Sequence, residues 1–164
     1  MKIVKRILSQ LHSFVLWLLI SALFWSWIFT FVTDTSPDRK VTVYCKVPEV
    51  QEVNLAAALE ERMPDGLKMI KAHSFDYVMF GTDAFYQGDV FIVPASEIEY
   101  YAEMLVPMEG EQGVKVYDAA AGIGAATAYI RYGTEDYYLF LGAGSVHLED
   151  GKALAVAQAL LSLE

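Results

Sequence analysis

The longest apolar run lies near the start of the chain. From Phe14 to Val32 it reads FVLWLLISALFWSWIFTFV, 19 residues without a charged side chain. Extended back to Leu11 the run has 22 residues, about 33 Å of helix, enough to cover the hydrocarbon core of a bilayer. The pattern predicts one transmembrane helix over residues 11–32. A cleaved signal peptide is the competing reading, but its apolar core is about 7–15 residues and ends in a small-x-small site. The exit here, Thr30-Phe31-Val32-Thr33-Asp34, lacks that site. Lys2, Lys5 and Arg6 precede the run, and Arg39 and Lys40 follow it. That modest bias places residues 1–10 in the cytoplasm and the remainder outside. The expected location is the cell membrane, with a single pass and an extracytoplasmic C-terminal domain.

Residues 33–40, TDTSPDRK, read as a polar linker. The domain expected over 41–164 begins with strict alternation: Val41, Val43, Cys45 and Val47 against Thr42, Tyr44 and Lys46, a strand ended by Pro48. Asn54 is placed to cap a helix, LAAALEERM. Pro64-Asp65-Gly66 reads as a turn, and LKMIKA (67–72) as a second strand. Residues 74–88 read as a broken helix. Val90–Val93 is a continuous apolar run, the mark of a strand buried on both faces. Ser96-x-x-Glu99 has the form of a capping box and predicts a helix carrying Ile98, Tyr101, Ala102 and Leu105 on one stripe. VKVYDA is a further candidate strand. Residues 126–132 and 136–142 read as a hairpin turning at Gly133-Thr134-Glu135, and residues 151–163 as a closing helix. Alternation of strand and helix implies parallel strands with right-handed crossovers. The expected fold is α/β, a three-layer αβα sandwich with a mostly parallel sheet, preceded by the transmembrane helix.

Composition narrows the function. The chain has 164 residues and a net charge of −9, with a mean hydropathy of +0.32. Residues 1–33 hold three basic side chains and no acid, so the rest sets nine of the 12 Lys and Arg against all 21 Asp and Glu. Such an acidic domain excludes a basic groove for nucleic acid. Cys45 is the only cysteine, which excludes an internal disulfide scaffold and cysteine-rich zinc sites.

Candidate chemistry is sparse. In open α/β sheets, ligands sit outside the carboxyl ends of the strands. That rule selects Asn54, Ser74, Asp76, Ala95 and Ser96, and helices beginning at Asn54 and Ser96 would aim free N–H groups at an anion in the same crevice. Tyr129 joins them as an aromatic side chain able to stack on a ligand. Gly122-Ile-Gly124-Ala-Ala-Thr127 approaches a dinucleotide-binding loop, but the strand-like YIRY follows where a helix is needed, so it reads as a turn. Ser145, His147 and Asp150 have the residue types of a hydrolytic triad, without a nucleophile elbow or a metalloprotease pattern. No catalytic residue, metal ligand or cofactor is therefore assigned.

The order of elements has a parallel. The stretch Val41–Leu105, above all DVFIVPASEIEYYAEMLVPM (89–108), resembles the first lobe of bacterial extracellular solute-binding proteins of the type 2 periplasmic-binding fold. ATAYIRYGTEDYYLFLGAGSVH (126–147) is similar to the crossing towards that family's second lobe, and ALAVAQALLSLE (153–164) to its closing helix. The resemblance implies a small-solute ligand held at strand ends. The chain departs from the family in lacking room for a second lobe. The expected function is a membrane-anchored, non-catalytic solute-binding-like module serving a transporter or sensor. The alternative is a structural subunit that binds another membrane protein, using Ser21, Ala22 and Ser26 for helix contact; an extracytoplasmic hydrolase is the third reading.

Overall fold

The computed structural model describes residues 2–33, 35–75, 82–108 and 113–163. It divides into two units, Met1–Thr35 and Ser36–Glu164. The first is a single helix, α1 (Lys2–Thr33). Its large apolar side chains stand exposed, with Trp17 and Trp25 each at 68% and Phe29 at 69%. Among the described residues no helix is long and apolar enough to cross a membrane, which corrects the transmembrane helix expected over 11–32.

The second unit is built on strands. In chain order they are β1 (Lys40–Cys45), β2 (Glu49–Val50), β3 (Met69–Ser74), β4 (Val90–Pro94), β5 (Leu105–Pro107), β6 (Val114–Asp118), β7 (Ile123–Gly124), β8 (Ile130–Arg131) and β9 (Tyr137–Gly142). Its helices are α2 (Glu52–Glu60), the one-turn α3 (Asp83–Tyr86) and α4 (Lys152–Leu161). The main sheet runs β3-β1-β4-β9-β6-β7, and β5 also pairs with β9. β1 is parallel to β3 and β4, whereas β9 is antiparallel to β4, β5 and β6. β2 and β8 form a separate antiparallel pair.

The mostly parallel three-layer sandwich is thereby corrected to a mixed sheet, a half-barrel in which strand outweighs helix. Two local events account for it. Residues after β4 do not form the helix that Ser96-x-x-Glu99 predicts. They make two 3-10 turns, Ala95–Glu97 and Ala102–Met104, before β5. Tyr101, 3% exposed, is drawn into an aromatic core instead of lying on a helical stripe. The expected hairpin of residues 126–142 also divides: β8 joins β2, while β9 inserts beside β4.

Each strand feeds two cores by its alternation. On one face Val41, Val43 and Cys45 of β1, Val90 and Ile92 of β4, and Leu139 and Leu141 of β9 meet Leu55 and Leu59 of α2 and Val156 and Leu160 of α4. On the other, Tyr44, Phe91, Val93 and Phe140 pack with Phe75, Phe85, Tyr101 and Leu105. Phe75 stacks on Phe85 with ring centroids 4.5 Å apart, and Tyr44 lies 5.5 Å from Phe91. Cys45 is fully buried, and the loss of hydration pushes its thiol up to about 12.

Leu160 is fully buried where α4 meets the sheet. Truncation of such a leucine removes transfer free energy and leaves a cavity, about 2–5 kcal/mol together. We expect Leu160→Ala to lower unfolding stability by that amount in urea titrations, and the exposed Leu154→Ala, at 37% exposure, to lower it far less.

Candidate functional site

Among the described residues, one acidic and one basic side chain are buried in the second unit, Asp89 at 3% and His147 at 1% exposure. They belong to one connected network. The Asp89 carboxylate accepts the Thr42 backbone N–H at 2.7 Å and the Ser145 hydroxyl at 2.5 Å. Ser145 Oγ in turn accepts the His147 backbone N–H at 3.0 Å. The His147 ring faces Asp150 Oδ2 through Nδ1 and the Pro37 carbonyl oxygen through Nε2, both at 3.0 Å. Lys152 closes the chain on Asp150 at 2.8 Å. Burial pushes the Asp89 carboxyl up, and its bonds to Ser145 and Thr42 pull the other way. Asp150 is held far below the usual carboxylate range, first by its bond to Lys152 and also by those to the Lys152 backbone and His147.

Three members of this network, Pro37, Thr42 and Asp89, also line a cavity of about 250 Å³, together with Lys40, Tyr44, Lys71, His73, Gln87 and Val146. Register explains why these residues meet. Thr42 is opposite Lys71 and Tyr44 opposite His73 in the parallel β1–β3 pair, so Lys40, Thr42, Tyr44, Lys71 and His73 share one sheet face. Asp89 enters from the loop ahead of β4, where its backbone N–H donates to Thr42 O at 3.0 Å. The face that is aromatic around Phe75, Phe85 and Phe91 is therefore polar toward the start of β1. What this arrangement offers is a hollow with two ammonium groups, an imidazole, the hydroxyls of Thr42 and Tyr44, an amide and the buried Asp89 carboxylate. Among the described residues no group of three His, Cys, Asp or Glu is placed to hold a metal ion.

The residues expected from strand ends lie elsewhere. Asn54 sits in the first turn of α2, not at its cap, and its Nδ2 donates to Oε1 of Gln51, the residue that does precede the helix, at 2.7 Å. Ser74 ends β3, and its N–H donates to Glu52 Oε1 at 2.7 Å. Ala95 N–H donates to Asp136 O at 2.9 Å and Ser96 N–H to Glu135 Oε2 at 3.0 Å. Tyr129 O accepts the Gln51 N–H at 2.9 Å. Asp76 lies outside the described residues. Gln51 thus links Asn54 to Tyr129, whereas Ala95 and Ser96 are tied to residues 135–136. Protein carboxylates and carbonyls occupy the backbone N–H groups of Gln51, Ser74, Ala95 and Ser96.

The triad arrangement is absent. Both His147 ring nitrogens are committed to Asp150 and Pro37, while Ser145 Oγ is bonded to Asp89 and a backbone N–H. A serine nucleophile needs its oxygen on a ring nitrogen. Sequence reasoning missed Lys40, Lys71, Gln87 and Asp89. The signal for the two lysines was present: polar residues recur at every second position in Lys40-Val-Thr-Val-Tyr and in Lys71-Ala-His. No protein-family model matches the chain, and no curated protein or solved structure is similar to it at a significant level.

Removing the Ser145 hydroxyl leaves one oxygen of the buried Asp89 without its donor, a loss of about 1–3 kcal/mol. Ser145→Ala should lower the urea midpoint accordingly, and Ser145→Thr should keep most of it. Acid acts through other carboxylates. Asp136 is lowered by its bond to Lys115, and Asp118 by the Ala121 backbone N–H; Asp150 is lowered as above. A lowered carboxyl contributes stability above its unfolded value and loses it as pH falls through its folded value. Stability should therefore decline below about pH 4, with the raised Asp89 acting in the opposite sense. Urea titrations at stepwise lower pH check the sign, and in Lys152→Met the decline is smaller because Asp150 loses its main partner.

Proposed function

We propose that this chain is a non-catalytic module that binds a small solute and associates with a membrane, acting as a receptor or accessory to a transporter or sensor. The observation that carries the reading is the cavity of about 250 Å³ on the β1–β3 face, where polar side chains of two adjacent strands converge beside an aromatic core. Binding sites typically combine an apolar wall with a few polar groups that fix orientation. Non-catalytic binding is favoured by the commitment of Ser145, His147 and Asp150 to one another and to the backbone. Membrane association is favoured by α1, whose exposed tryptophan and phenylalanine side chains match the aromatic composition of membrane interfaces.

A thermal-melt screen of the full chain in detergent micelles against sugars, amino acids, short peptides and metal ions tests the reading. A ligand at about 100 times its Kd adds about 2.7 kcal/mol and raises Tm by several degrees. We expect at least one solute to do so saturably, and Thr42→Phe, which fills the cavity, to abolish the shift. Absence of any shift, or an equal shift in Thr42→Phe, overturns solute binding at this site.

A further inference from the structure

The charges around the cavity are not those of the domain that contains it. Residues 34–164 carry all 21 acidic side chains of the chain against nine Lys and Arg, yet the cavity wall holds Lys40 and Lys71 and one carboxylate, Asp89, while the His73 ring on the same wall faces Glu52 Oε2 at 3.6 Å. Asp89 is 3% exposed, and its two oxygens are taken by the Thr42 N–H and the Ser145 hydroxyl. Among the described residues neither Lys40 nor Lys71 forms an ion pair; Asp89 feels the charge of Lys40 without reaching it. By contrast, Lys46, Lys115 and Lys152 each face a carboxylate within 4.0 Å.

From this, the geometry points to a small oxyanion as the ligand: a carboxylate or phosphate group set between the ammonium groups of Lys40 and Lys71. The inference rests on the solute-binding reading and adds the chemical class. Lys40 opens β1, and Lys71 stands opposite Thr42 on β3, so the two ammonium stems rise from one face of adjacent strands. A group bearing several oxygens accepts from both, as compact ammonium donors require no planar fork. The Thr42 hydroxyl and the Gln87 amide add neutral donors to the same wall. Beyond the charged end, Tyr44 and His73, with ring centroids 5.9 Å apart and planes tilted by 35°, give an aromatic wall for the body of the molecule. A cavity of about 250 Å³ accommodates a ligand of a few carbon atoms with one such group. The acidic exterior repels anions at long range, so selection depends on the local pair of lysines, and added salt weakens the contact.

The test is calorimetric titration of the full chain in detergent micelles with inorganic phosphate and, separately, with succinate, each against chloride at equal ionic strength. Melts with neutral sugars run in parallel. We expect saturable binding of phosphate or succinate, and whichever is tighter identifies the preferred oxyanion. Lys71→Ala and Lys40→Ala should each weaken it by about tenfold, the loss expected for a charged hydrogen bond. The exposed Lys68→Ala, outside the cavity, should leave it unchanged. Equal weakening by Lys68→Ala, or none by Lys71→Ala, overturns the oxyanion site. Binding of a neutral sugar that Thr42→Phe abolishes and Lys71→Ala spares overturns the ligand class while the solute-binding reading stands. No binding of any probe overturns both.

Discussion

The antiparallel pairing of β4 with β9 is the constraint on which the rest of the domain depends. Five residue pairs, from Val90–Leu141 to Pro94–Tyr137, join a parallel group of three strands to an antiparallel group. Every residue of β4 is buried, so an error in this register would turn one core inside out. The close approach continues past the strand end. Gly142 N–H donates to Asp89 O at 2.9 Å, and a Cβ on Gly142 would collide with the Gly88 carbonyl oxygen. Glycine at 142 lets the backbone come close enough to fix the loop that carries Asp89. From that loop Asp89 reaches back to Thr42 on β1 and across to Ser145.

The sheet face opposite α2 and α4 has two characters. Around Phe75, Phe85, Phe91 and Tyr101 it is a packed aromatic layer, with edge-on and stacked pairs 4.5–5.4 Å apart. Toward the start of β1 the same pleat presents Lys40, Thr42, Lys71 and His73. Among the described residues no helix of three or four turns covers this face, because the chain between β4 and β5 is spent on 3-10 turns. A sandwich with full helices on both faces would have closed the hollow. The mixed architecture and the cavity therefore have one cause.

The buried polar network is structural in its bonding. Asp89, Ser145, His147 and Asp150 tie the loop before β4, the segment before α4 and the 3-10 turn at Pro37–Arg39 to one another. No buried side-chain nitrogen or oxygen among the described residues lacks a partner. A satisfied network of this kind fixes the cavity wall from behind.

The sequence by itself determined the alternation of β1, the buried run of β4, the apolar character of α1 and α4, and the acidity of residues 34–164. These follow from period and composition, which act within a few residues and so survive in any fold the chain adopts. It also carried the polar alternation that places Lys40 and Lys71 in register, though nothing local identified the strands as neighbours. Tertiary structure alone decided the rest. Ser96-x-x-Glu99 has the residues of a helix start, yet burial of Tyr101 outweighs a capping preference of about 1 kcal/mol. Gly133-Thr134-Glu135 has the residues of a hairpin, yet β9 gains more from pairing with the fully buried β4 than β8 could give it. Asp89 entered no sequence motif, because its partners Thr42 and Ser145 are 47 and 56 residues away along the chain. Such contacts depend on which strands lie side by side, a choice made by the summed burial of the whole sheet and invisible to any local pattern.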